Sequence, residues 1–141
     1  MHKVFVYGTL KKGFPNHQTG MAGAVYVGRV RTIVAFPLVV GGRWFSPSLI
    51  DEPGVGRRVF GELYEVSDQK LKLLDLMEGT QHPQGYRRIT VRLENIRCGD
   101  ECDAWTYVKE RKVIDVIHSD PLDEYILDSR YMGPSERTSA F

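Results

Sequence analysis

The stretch Val4-Phe5-Val6-Tyr7 is apolar at every position, so the strand it predicts, Lys3 to Tyr7, is buried on both faces and central in its sheet. It runs into Gly8-Thr9-Leu10-Lys11-Lys12-Gly13-Phe14-Pro15-Asn16-His17, where two glycines and a proline break regular structure and Asn16 is placed to cap a short helix. Further strands are predicted at Ala24 to Arg31, Val34 to Val40 and Arg57 to Val66, with turn and loop chemistry at Gly41-Gly42 and from Ser46-Pro47-Ser48 through Gly54-Val55-Gly56. The period then changes. Ser67 offers an N-cap, Asp68 suits a first turn, and Leu71, Leu73, Leu74, Leu76 and Met77 form an apolar stripe until Gly79 stops it, a helix of about three turns. Alternation returns in Arg88 to Glu94 and Ala104 to Val108, a β-hairpin connected through Cys98-Gly99-Asp100. Ser119, Pro121, Asp123 and Glu124 carry cap, N1-proline and first-turn signals for a second helix running to about Ser129. Strands in groups with few helices predict an α+β fold with a curved, partly closed mixed sheet.

Composition narrows the function classes. The 141 residues, 42% of them hydrophobic, suffice for one core and read as one domain over 1–141, although the pattern weakens from about residue 113. No apolar run approaches the ~20 residues of a membrane helix, and Met1 to Tyr7 has no h-region, so a soluble, cytoplasmic protein is expected. A net charge of +1 from 19 basic and 18 acidic residues provides no field for nucleic acid or anionic lipid. Arg87, Arg88, Arg92 and Arg97 read as a solvated strand face. The only cysteines, Cys98 and Cys102, have no further ligands around them, and His2, His17, His82 and His118 show no metal spacing. A doubly wound nucleotide fold is disfavoured, because Gly54-Val55-Gly56 lacks a third glycine and there is no Walker sequence. Ser46, Ser48 and Thr80 have no elbow motif, and Tyr64, Tyr86, Trp105 and Tyr107 suit core or pocket wall.

Two places carry chemistry. At Tyr7-Gly8-Thr9-Leu10 a central strand ends in a glycine-containing turn, which is either ordinary turn geometry or a nest of backbone N–H groups suited to a carboxylate or oxyanion. Glu78 lies four residues after Leu74 and seven after Leu71, on the helix face that must be buried. It is either a solvated end residue or a partly desolvated carboxylate of raised pKa, fit to move protons near neutral pH. Asp75 either raises that pKa by like charge or serves as a structural acceptor.

Read in order, Val4-Phe5-Val6-Tyr7-Gly8-Thr9-Leu10 with its extension to Pro15-Asn16-His17, Phe36-Pro37-Leu38-Val39, Gly61-Glu62-Leu63-Tyr64-Glu65-Val66, Leu74-Asp75-Leu76-Met77-Glu78-Gly79 and Tyr86-Arg87-Arg88 resemble the γ-glutamyl cyclotransferase superfamily. The resemblance spans roughly residues 3 to 108, with Arg130-Tyr131 beyond it. It implies a small mixed β-barrel with flanking helices, no metal, no organic cofactor and a small γ-glutamyl substrate. It also implies that Tyr7, Gly8, Thr9 and Leu10 hold the glutamyl group, that Tyr107 lines the pocket, and that Glu78 is the acid/base. The Pro-Asn-His extension is most similar to the γ-glutamylamine branch, which frees lysine from γ-glutamyl-ε-lysine. Other γ-glutamyl compounds, or a binding protein of the same fold without turnover, are the alternatives. Because Lys and Arg are not concentrated at either motif, the amine half of the substrate is expected to be held loosely.

Overall fold

A computed structural model describes residues 1–139. Seven strands form one sheet: β1 (His2–Val6), β2 (Val25–Thr32), β3 (Leu38–Gly41), β4 (Ser46–Ile50), β5 (Phe60–Val66), β6 (Arg87–Asn95) and β7 (Glu101–Lys109). Their order is β1-β5-β2-β6-β7-β4-β3, and a further parallel pairing of β1 with β7 closes the first five into a barrel. The remaining pairings are antiparallel except β4 with β7, so the sheet is mixed. The expected mixed barrel is therefore present, with two helices, α1 (His17–Gly20) and α2 (Asp68–Glu78), against it.

The unbroken apolar run of β1 has a direct physical cause. Phe5 and Tyr7 join one core with Val30, Leu38, Leu49, Leu63 and Leu93, while Val4 and Val6 join a second core with Leu71 and Leu74 of α2. A strand with a core on each face has no side to give to water. Gly61 of β5 is required at this crossing, because a Cβ there would lie 2.4 Å from the Val6 carbonyl oxygen.

Helix α2 begins and ends where its capping residues require. Ser67 Oγ accepts the N–H of Lys70 at 3.1 Å, and Gly79 takes the left-handed conformation (φ 69°) that sends its N–H back to the carbonyls of Asp75 and Leu76. Only Leu71 and Leu74 are buried, each contributing about 1.5–3 kcal/mol by removal from water. Leu73, Leu76 and Met77, expected in the apolar stripe, are instead 53%, 70% and 41% exposed.

Three expectations are corrected. Ser46 to Ile50 is strand β4, not loop: Leu49 and Ile50 are fully buried, and pairing with β3 and β7 outweighs the Ser-Pro-Ser turn signal. The strand expected at Val34 to Val40 is confined to Leu38–Gly41. Ser119 to Ser129 is not helical, because its polar groups bond across the fold instead. Ser119 Oγ accepts from Val40 N, Leu122 N donates to the Leu38 carbonyl, the Asp123 carbonyl accepts from Phe60 N, and Tyr125 is buried in the core. The arginine face divides similarly. Arg87 pairs with Asp51 and Glu110, and Arg92 with Asp103, but Arg88 lies over the Trp105 ring at 4.4 Å, 3.5 Å from Asp75.

Candidate active site

Beyond the end of β1 the barrel opens into a cavity of about 640 Å³ whose wall includes Tyr7, Gly8, Thr9, Leu10, Glu78 and Tyr107. All six residues singled out in the sequence thus meet in one place. β1 delivers the 7–10 turn, the last turn of α2 delivers Glu78, and β7 delivers Tyr107.

The turn is held from several sides. Tyr7, buried, donates its hydroxyl to the Tyr107 carbonyl at 2.6 Å and accepts from Leu49 N at 3.3 Å, joining β1, β7 and β4. Lys11, read as a loop lysine, is 4% exposed and donates to the Tyr125 carbonyl at 2.7 Å. Asn16 occupies the N-cap position of α1 without a side-chain cap bond; its amide donates to Thr9 Oγ1 at 2.8 Å and Tyr131 Oη at 2.9 Å. Among the described residues no acceptor takes the backbone N–H of Gly8, Thr9 or Leu10, which leaves three donors at the cavity wall. Gly8 is not among the glycines with positive φ, so a left-handed conformation is not what requires glycine there. Space is: a Cβ on Gly8 would stand 2.6 Å from Pro47 Cγ.

Glu78 is partly buried, and its carboxylate has no hydrogen-bond partner among the described residues. Burial pushes its pKa from 4.5 up to about 7, with the nearby charges of Lys109 and Arg137 pulling the other way. Its backbone is fixed, since the Glu78 carbonyl accepts from Tyr86 N at 2.8 Å and Gly85 packs so closely on Gly79 that a Cβ would collide with the Gly79 carbonyl. Asp75, one turn earlier, accepts the Tyr107 hydroxyl at 2.7 Å and so serves as a structural acceptor tying α2 to β7. That bond engages the Tyr107 hydroxyl, whose pKa burial and Asp75 push further above its usual value.

Residues without a motif complete the wall. Tyr86 donates to the Pro47 carbonyl at 2.8 Å beside Ser48 Oγ, and Lys109, Asp115, Tyr131 and Arg137 also line the cavity. Lys109 ends β7, and Arg137 stands 59 positions after Glu78; neither belongs to a motif, and topology brings both to the cavity wall. Arg130-Tyr131 was the one sequence signal on this side. No group of His, Cys, Asp or Glu among the described residues has metal-binding geometry.

Comparison with known proteins identifies the family and the fold. The family model "Gamma-glutamyl cyclotransferase, AIG2-like" matches residues 4–130. A Bos taurus gamma-glutamylaminecyclotransferase is 40% identical over 126 residues, covering 86% of this chain and 74% of that one. A Danio rerio gamma-glutamylaminecyclotransferase B is 36% identical over 132 residues, covering 89% and 68%. The crystal structure of an AIG2-like protein from Mus musculus superposes with a TM-score of 0.76 at 32% identity, covering 89% and 88%.

Proposed function

The chain belongs to the gamma-glutamyl cyclotransferase, AIG2-like family, and on that premise we propose that it converts γ-glutamyl amines such as γ-glutamyl-ε-lysine into 5-oxoproline and the free amine. The observation that carries this reading is the juxtaposition, in one cavity, of a partly buried carboxylate at Glu78 with the N–H groups of Gly8 to Leu10, neither of which has a hydrogen-bond partner among the described residues.

Ring closure needs no protein nucleophile, because the substrate supplies its own. The N–H groups of the 7–10 turn receive the glutamyl carboxylate and hold the chain bent, with the α-nitrogen near the γ-carbonyl. Such positioning is worth roughly 7–11 kcal/mol in favourable intramolecular cases. Ionised Glu78 takes a proton from the α-ammonium, and the freed amine attacks the γ-carbonyl carbon. The bond from that carbon to the leaving nitrogen then breaks as Glu78 returns the proton to it. The second proton shed by the ring nitrogen follows the same route, so the amine departs as an ammonium and Glu78 ends ionised as it began. A pKa near 7 suits a group that must both accept and donate. A helix C-terminus, which opposes negative charge, adds to the tendency of Glu78 to give up its ionised form.

The test is 5-oxoproline release from a panel of γ-glutamyl amides, followed chromatographically. Turnover of γ-glutamyl amines is expected, and absence of 5-oxoproline from every member of the panel overturns the reading.

A further inference from the structure

The cavity wall also contains charge that the ring closure does not use. Lys109, the last residue of β7, is partly buried on the cavity wall, its Nζ 4.6 Å from the centroid of the Tyr86 ring. The hydroxyl of Tyr86 is bonded to Pro47, so the ring that supports Lys109 is itself fixed. Among the described residues Lys109 Nζ has no carboxylate partner in salt-bridge range and no hydrogen bond. A partly desolvated ammonium without a partner is costly unless something else supplies the countercharge. Glu78, Arg137 and Asp115 are its charged neighbours. Glu78 is committed to proton transfer. Arg137 adds a second cation, anchored by its Nε on the Met132 carbonyl and with Nη2 beside Tyr131 Oη and Ser46 Oγ. Asp115, exposed on the same wall, has no ion-pair partner of its own among the described residues. Among the described residues the wall thus presents the Lys109 ammonium and, toward solvent, the Asp115 carboxylate.

We propose that Lys109, with Asp115 at the rim, is the receptor for the head group of the leaving amine, so that the enzyme selects γ-glutamyl conjugates whose released amine carries a carboxylate. The chemistry it fits is an amino-acid zwitterion: carboxylate on Lys109, ammonium toward Asp115. The glutamyl half already has its own donors at Gly8 to Leu10, which leaves the Lys109 end for the other half. This rests on the cyclotransferase reading and adds the selection of one class of leaving group to it. Lys109 acts here as a specificity residue and takes no part in the bond changes.

Two substrates that differ by one group decide the matter: γ-glutamyl-ε-lysine and γ-glutamylcadaverine, which lacks only the lysine carboxylate. In the wild type, kcat/KM is expected to favour the lysine conjugate, and Lys109→Met should lower the lysine-to-cadaverine ratio of kcat/KM by about ten- to a hundredfold, mostly through KM on the lysine conjugate. Methionine keeps an apolar stem over Tyr86, and Lys109→Arg, which keeps the charge, should retain the preference. Any change in Glu78 proton affinity from losing Lys109 acts on both substrates alike and cancels in their ratio. Equal loss on both substrates, or a wild type that prefers cadaverine, overturns the proposal while leaving the cyclotransferase intact. Lysine binding in the presence of saturating 5-oxoproline, measured by NMR shifts against cadaverine, reads the receptor without turnover. Tighter binding of cadaverine than of lysine there refutes the receptor even in a protein that forms no 5-oxoproline. Should Lys109→Met not fold, Lys109→Gln and the lysine-against-cadaverine binding ratio of the wild type decide in the same way.

Discussion

Glu78→Gln should stabilise the protein, and by an amount that depends on pH in a defined direction. With its pKa raised from 4.5 to about 7 by burial, Glu78 holds its proton in the folded state at pH values where the unfolded chain has released it. Below about pH 4.5 both states are protonated and the group costs nothing. As pH rises toward 7 the unfolded state binds fewer protons than the native one, so stability falls; above about 7 both are ionised and the loss levels off. One decade of proton affinity is about 1.4 kcal/mol, so the full cost of the native ionised carboxylate is about 3 kcal/mol. Glutamine does not titrate. The variant should therefore match the wild type to within a constant offset at pH 4, gain on it between 4.5 and 7, and exceed it by up to about 3 kcal/mol at pH 8, roughly 10 °C in Tm for a chain of this size. Differential scanning fluorimetry across that range, with urea melts at pH 4 and 8, measures the gain. Turnover of the same variant should fall by about 10² or more, and wild-type kcat/KM should rise with pH to a plateau above about 7, as for a base that must be ionised. A stability difference that is flat from pH 4 to 8 would falsify the buried-carboxylate account, and near-wild-type turnover would remove Glu78 from the chemistry.

Gly8→Val should abolish 5-oxoproline binding in calorimetry, because its Cβ meets Pro47 at 2.6 Å and pushes the donor turn away; binding as tight as wild type would show that the turn is not the receptor. Tyr107→Phe leaves Asp75 without its 2.7 Å donor, and should cost about 1–3 kcal/mol of stability in denaturant melts together with about a tenfold drop in kcat at little changed KM, since α2 and Glu78 are then held less firmly. A drop confined to KM would instead mean that Tyr107 touches substrate.

Both motifs were legible in the sequence because each is local: a strand that stops at a glycine turn, and a carboxylate at the end of an amphipathic helix. Their meeting was not legible from spacing, since β1 and α2 are separated by four strands and share a wall only because the sheet closes. The rest of the wall was hidden for the same reason. Lys109 ends an alternating strand like any solvated lysine, and Arg137 follows a segment whose Ser-Asp-Pro-Leu-Asp-Glu signals point to a helix. That helix lost to tertiary bonding: Ser119 caps the N–H of a neighbouring strand, and Tyr125 belongs in the core. At β4 two fully buried aliphatics outweighed a proline, and only the partner strands could reveal it.

The seam that closes the barrel joins Val4 to Trp105, a hundred residues along the chain. The turn that holds Gly8 to Leu10 hangs from that seam, and Tyr7 reaches the Tyr107 carbonyl just beyond it. During synthesis, a ribosome that has released everything through Gly79 has therefore delivered both motifs and no pocket. Long-range closure of this kind is slow to form compared with local helix contacts. Competence to bind should consequently appear late and all at once as the β6–β7 hairpin docks, and the half-made chain, which already carries Glu78, can do no chemistry on γ-glutamyl compounds in the meantime.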